Sequence, residues 1–212
     1  MDAEKIMRLL GKKYPKAHTT LYNWGNPVQF LAAVMLSAQC TDERVNIVTK
    51  GLFKKYKTSK DFANADRKKF EQEIRSTGFY RNKAKNIIET AKIIEKKFSG
   101  KVPGNMEDLL LLPGVARKTA NVVLSSVFGK NEGFVVDTHV KRVSFRLDLT
   151  KEKTPEKIEK DLMQIFPQKD WNKIALQLLW HGRAVCQAKK PRCSECLLNK
   201  ICPSAFRVKG WV

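Results

Sequence analysis

Apolar residues recur at helical spacing along almost the whole chain, and this period constrains the fold more than any other feature. Ala84, Ile87, Ile88, Ala91, Ile94 and Phe98 fall on one face, with Lys83, Lys85, Glu89, Lys92 and Lys96 turned outward. Phe30 to Ala38 is apolar on all sides and reads as a buried helix after Pro27. Asp66 is placed to cap a helix ending near Gly78, and Thr154-Pro155-Glu156 reads as a helix start with proline in the first turn. Phe134-Val135-Val136 hints at extension but is too short to build a sheet. The expectation is an all-α fold.

A length of 212 residues suits one large domain or two small ones. Gly129 to Gly133 is the best linker, and His18 to Pro27 is a second polar, turn-rich stretch. The expected division is a central helical domain over 21–131, with 1–20 and 132–212 forming the other domain. The longest apolar run, Phe30 to Leu36, is far short of the ~20 residues of a membrane helix. The start, Met1-Asp2-Ala3-Glu4-Lys5-Ile6, lacks a basic region followed by an apolar stretch, so a cytoplasmic protein that does not enter membranes is expected.

Charge gives the first functional constraint. Forty-one Lys and Arg against 21 Asp and Glu leave a net charge of +20. Such an excess repels itself in a compact state and points to a polyanionic partner. Nucleic acid is favoured; a membrane surface, or simply a lysine-rich solvated exterior, stays open on charge alone.

Cys40 stands apart from Cys186, Cys193, Cys196 and Cys202, which read C-x6-C-x2-C-x5-C. Clustering of this kind in an intracellular chain argues for a metal rather than disulfides. Four thiolates can hold a tetrahedral zinc or a [4Fe–4S] cube. Zinc sites usually use two close pairs, and this segment has one, Cys193 with Cys196, which favours the bulkier cluster. The intervening Ala188-Lys189-Lys190-Pro191-Arg192 is a basic finger anchored at both ends. Lys189, Lys190 and Arg192 are therefore candidate DNA-phosphate contacts, or else ordinary solvated side chains.

Leu109 to Phe128 carries the most information. A short helix ends near Leu111; Leu112-Pro113-Gly114-Val115-Ala116 follows, and a second helix starts at Arg117. Pro113 stops the first helix, Gly114 can take the positive φ of a tight reversal, and the turn presents N–H groups at a helix N-terminus. That is a phosphate site that reads no bases. Lys118 lies in the first turn of the second helix, where its positive end and partial burial would favour the neutral amine that Schiff-base chemistry needs; taken alone, it reads more simply as one of many surface lysines. Asp137, after Val135-Val136 and before a helix, reads as an N-cap that could also stabilise an oxocarbenium-like sugar. His139 either contacts phosphate or packs.

Together, Leu112 to Asn121, the Val136-Asp137-Thr138-His139 element and the four spaced cysteines resemble endonuclease III, the helix–hairpin–helix DNA glycosylase family with a [4Fe–4S] cluster. The resemblance implies two helical domains with a DNA-binding cleft between them. It also implies a monomer acting on double-stranded DNA with damaged bases or abasic sites, associated with the nucleoid. Lys118 would be the nucleophile, Asp137 its acidic partner, and oxidised pyrimidines the substrates, with strand cleavage by β-elimination. Gln39 would fill the gap in the base stack and Phe79 would be the intercalating wedge; on the residues alone, Gln39 could cap a helix and Phe79 could be core. Gly114 and Ala116 would present backbone to phosphate. Family members commonly carry glycine where Ala116 stands, and a positive φ there would cost alanine ~1 kcal/mol or more. The sister branch that removes adenine opposite damaged guanine lacks a lysine at the position of Lys118. A non-catalytic DNA-binding module leaves the pairing of Lys118 with Asp137 unexplained.

Overall fold

The computed structural model describes residues 2–22 and 25–207, and these are helices joined by turns, with no strand among them. The chain divides into two compact units, one comprising 19–130 and the other 1–18 with 131–212.

Within 19–130 the helices are α2 (Pro27–Leu36), α3 (Asp42–Lys55), α4 (Ser59–Ala63), α5 (Arg67–Glu73), α6 (Tyr80–Phe98), α7 (Met106–Leu110) and α8 (Arg117–Val127). α2 is the central rod: Asn26 caps it, Pro27 opens it, and Gln29 to Leu36 are all buried. Its one buried amide is satisfied, because Gln29 Nε2 donates to the carbonyls of Phe53 and Tyr56 at 2.9 Å each. α6 and α8 pack on α2, and α4 and α5 pack on α6. Asp66 caps α5 as expected, but α5 stops at Glu73; a 3-10 turn over Arg75–Thr77 carries the chain to Gly78, which reverses it at φ 71°.

The other unit holds α1 (Ala3–Lys13), α9 (Thr138–Arg146), α10 (Pro155–Ile165) and α11 (Trp171–Ala184). α11 packs against both α1 and α9. Ile6, Leu10, Val143, Ile158, Leu162 and Leu178 fill its core, each such side chain contributing ~1.5–3 kcal/mol. Phe134-Val135-Val136 forms no strand; Phe134 and Val136 are buried side by side with this core. Thr154 sits at the N-cap of α10 without making a capping bond, and Pro155, with its fixed φ, and Glu156 favour the helix start.

One face assignment is corrected. Lys83 is not turned outward: its side chain is buried, 6 % exposed, within the stripe formed by Ala84, Ile87, Ala91 and Ile94. Two carbonyl acceptors make that burial tolerable, since lysine is rarely buried without a partner. The sequence signal existed, because position 83 lies one turn before Ile87 on the same helical line.

Candidate active site

The hairpin is built from beneath. Leu112 and Val115 are buried, and the Val115 N–H donates to Leu112 O at 3.0 Å. Thr90 Oγ1 of α6 donates to Pro113 O at 3.0 Å, pinning the outer edge of the turn. Gly114 takes φ 77° and is exposed, with Asn86 directly under it. Ala116 is at φ −87° and ψ 168°, ordinary extended backbone. The strain expected from a methyl group at this position is therefore absent; the hairpin makes its left-handed turn at Gly114.

α8 begins at the next residue with no side chain capping its N-terminus. Ala120, Val123 and Leu124 fix the helix to the core. Lys118 occupies its first turn and is exposed, rather than part-buried as the sequence suggested. The side chain thus stands at the positive end of a firmly anchored helix, beside the N–H groups of the hairpin.

Asp137 is the N-cap of α9. Its Oδ1 accepts from the backbone N–H of His139 at 2.9 Å and of Val140 at 2.7 Å. Both bonds fall on one oxygen, so the carboxylate is oriented by the helix it starts. His139 is half-buried, with its Nδ1 3.1 Å from Arg142 Nη2. Burial holds His139 below the usual imidazole value, with Arg142 and Arg183 pushing the same way against Asp137.

Gln39 and Phe79 share an unusual backbone: both adopt positive φ, 53° and 48°, though neither is glycine. Gln39 caps nothing. Phe79 is not core; it is 64 % exposed. They line one open pocket of about 210 Å³ with Asn82, Lys83, Asn86 and Gly114. An exposed aromatic ring on a left-handed residue is costly twice over, and such outliers concentrate at ligand sites.

The four C-terminal cysteines, Cys186, Cys193, Cys196 and Cys202, line a single pocket with Val143, Leu147 and Leu198. Burial pushes the Cys196 thiol up to about 11 and raises Cys202 as well, with the other cysteines adding to both. Such a donor set becomes four thiolates when a cation binds among them. No three Cys, His, Asp or Glu side chains of the described residues group at the spacing of a single metal ion. Four cysteine sulfurs lining one pocket are a donor set that suits a metal or a cluster.

Two residues that sequence reasoning missed hold this loop. Arg146 donates to Gln187 O at 2.7 Å and Ala188 O at 2.8 Å, and its Nη1 lies 3.3 Å from Cys186 Sγ. Arg142 donates to Cys186 O at 3.0 Å and Gly182 O at 2.9 Å. Both are buried, and their i, i+4 spacing on α9 was the available signal. Lys189 and Lys190 are exposed at the loop tip. Arg192 is exposed too; it donates to Ala184 O and pairs with Glu195 at 3.2 Å, at the base of the loop.

Residues 32–168 match the HhH-GPD superfamily of base excision DNA repair proteins. The chain is 54 % identical over 203 residues to endonuclease III of Synechocystis, covering 96 % of this chain and 92 % of that one. This chain belongs to the endonuclease III family. It is also 45 % identical to the Bacillus subtilis endonuclease III, covering 91 % and 88 % of the two chains. A trapped endonuclease III–DNA covalent intermediate superposes with a TM-score of 0.91 at 42 % identity, covering 98 % of each chain. A thermostable thymine-DNA glycosylase, at 24 % identity and TM-score 0.80, shares the fold. In this endonuclease III relative no helix of the described residues is long and apolar enough to cross a membrane.

Proposed function

We infer that this protein is a bifunctional DNA glycosylase and abasic-site lyase of base excision repair, with Lys118 as nucleophile. The observation that carries the assignment is an exposed lysine in the first turn of an anchored, uncapped helix, next to a hairpin that offers backbone N–H groups to phosphate. The Lys118 amine attacks the sugar anomeric carbon, and the base leaves with the electron pair of the glycosidic bond. The Asp137 carboxylate, held by its cap bonds, stabilises the positive charge that develops on the sugar. Ring opening gives an imine between Lys118 and the sugar. Loss of a C2′ proton then expels the 3′ phosphate, and water releases the lysine.

The substrates proposed are oxidised pyrimidines in duplex DNA, each flipped out of the stack to expose its glycosidic bond. Gln39 fills the vacated space and Phe79 wedges the step. The N–H groups at Gly114 and Ala116, with His139, Lys189, Lys190 and Arg192, contact phosphate. Cys186, Cys193, Cys196 and Cys202 would hold a [4Fe–4S] cluster. When bound, that group supplies a rigid anchor for the basic loop. The protein acts as a monomer in the cytoplasm, on nucleoid DNA.

Borohydride trapping on a duplex with one abasic site tests the nucleophile. The native protein should give a covalent adduct, and Lys118→Gln should give none while keeping its thermal midpoint and DNA binding. An adduct of equal yield from Lys118→Gln would overturn the assignment.

A further inference from the structure

Lys83 has no place in the chemistry above, yet it is the buried cation at the foot of the pocket shared by Gln39 and Phe79. Its Nζ donates to Leu36 O and to Thr77 O, each at 2.7 Å. Leu36 is the last residue of α2, so its carbonyl has no partner one turn ahead within that helix. Thr77 is the last residue of the 3-10 turn. From Leu36 the chain runs through Ser37 and Ala38 to Gln39; from Thr77 it runs through Gly78 to Phe79. One ammonium therefore ties together the two stems from which the two left-handed residues project.

We propose that Lys83 is a positioning residue that sets the spacing of Gln39 and Phe79 for entry into the base stack. This rests on the reading of those two residues as the stack filler and the wedge. Non-glycine residues at positive φ persist where their surroundings over-determine them. The stems differ in origin, one a buried helix end and the other a 3-10 turn, and α6 supplies the bridge from its own first turns. Burial works against the charged form of Lys83, with Cys40 nearby favouring it. Charge-assisted bonds to two carbonyls keep the ammonium in place. An apolar side chain would fill the same volume without joining the stems.

Two substrates separate positioning from simple structural support. Release of a stacked oxidised base needs the duplex opened, whereas a preformed abasic nucleotide has no base to unstack. In single-turnover assays Lys83→Met should slow base release by about 10- to 100-fold, as expected for a small misplacement of contacting groups, and slow cleavage at an abasic site by less than ~3-fold. Added to a Gln39→Ala/Phe79→Ala background, Lys83→Met should cost less than ~3-fold more, because the groups it positions are gone. Equal loss on both substrates would mark Lys83 as general support and overturn the proposal. If Gln39→Ala and Phe79→Ala slow base release while Lys83→Met does not, the bridge is irrelevant and the proposal fails alone. If neither Gln39→Ala nor Phe79→Ala slows it, the stack-filling reading fails and takes the proposal with it. Should Lys83→Met not fold, Lys83→Gln keeps donors for one stem and is judged by the same split between substrates.

Discussion

The hairpin at Gly114 and the cysteine loop between Cys186 and Cys202 both present polar backbone outward, and they are held by opposite means. Under the hairpin lie apolar side chains, Leu112, Val115, Ala120 and Leu124, with a Thr90 hydroxyl bond at its edge. The cysteine loop has Leu198 and little else that is buried and apolar, and two buried arginines from α9 grip its carbonyls. Apolar contact is non-directional, so the hairpin gets its precision from backbone conformation at one glycine. Guanidinium bonds are directional, so the loop gets its precision from donors fixed in a helix. The first arrangement leaves N–H groups free to meet an anion. The second sequesters carbonyl groups, which would repel one, and leaves Lys189 and Lys190 outside.

Breaking the second arrangement should have the larger effect. Arg146→Leu keeps an apolar body of reduced length and leaves the carbonyls of Gln187 and Ala188 without their donor. Each lost bond to a charged donor is worth about 1.5–3 kcal/mol. The expected result is a thermal midpoint lower by several degrees, at ~2–4 °C per kcal/mol for a chain of this size. Trypsin cleavage after Lys189 should be faster as well. An unchanged cleavage rate would mean that the cysteines alone hold the loop.

The same contrast explains what was legible in the sequence. Hairpin information is local: Pro113, Gly114, Lys118 and the stripe Ala120, Val123, Leu124 lie within a dozen or so residues, so the turn and its helix could be read directly. Asp137 was likewise readable as a cap, because a cap acts on the next two or three residues. The grip of Arg142 and Arg146 spans about 40 positions of chain, and charged residues at helical spacing look like any solvated face. Lys83 failed for the same reason. Its type said surface, its position said core, and the carbonyl partners that decide the matter lie at Leu36 and Thr77. Gln39 and Phe79 could be singled out by resemblance alone, since no local rule places a glutamine or phenylalanine at positive φ.

A smaller effect is expected from Gly114→Ala, which breaks the first arrangement at its one special residue. Gly114 is at φ 77°, and an added Cβ would lie 2.6 Å from Asn86 Nδ2 and 3.0 Å from Asn86 Cβ. Left-handed backbone costs an L-residue roughly 1–2 kcal/mol before the clash is counted. The turn would shift, so DNA affinity should fall about tenfold, a loss of ~1.4 kcal/mol in binding, measured by fluorescence anisotropy at fixed salt. Affinity within a factor of two of native would show that the hairpin N–H groups do not touch phosphate.

The smallest effect belongs to Ala116→Gly, which installs the residue common in the family at this position. At φ −87° and ψ 168° the methyl group is unstrained and exposed, so glycine relieves nothing in the folded state. It does add freedom to the unfolded chain, which destabilises by ~0.4–1 kcal/mol. The prediction is a slightly lower thermal midpoint with unchanged DNA affinity, because the backbone N–H and its direction are the same in both. A rise in stability would mean that the alanine is strained after all and that Gly114 does not carry the reversal by itself. A drop larger than about 2 kcal/mol would instead show that the Ala116 methyl packs in solution. With Gly114→Ala beside it, the pair exchanges the same methyl group in opposite directions two residues apart. Strain at Gly114 alone predicts that both changes destabilise, the first by the conformation it forbids and the second by the freedom it restores.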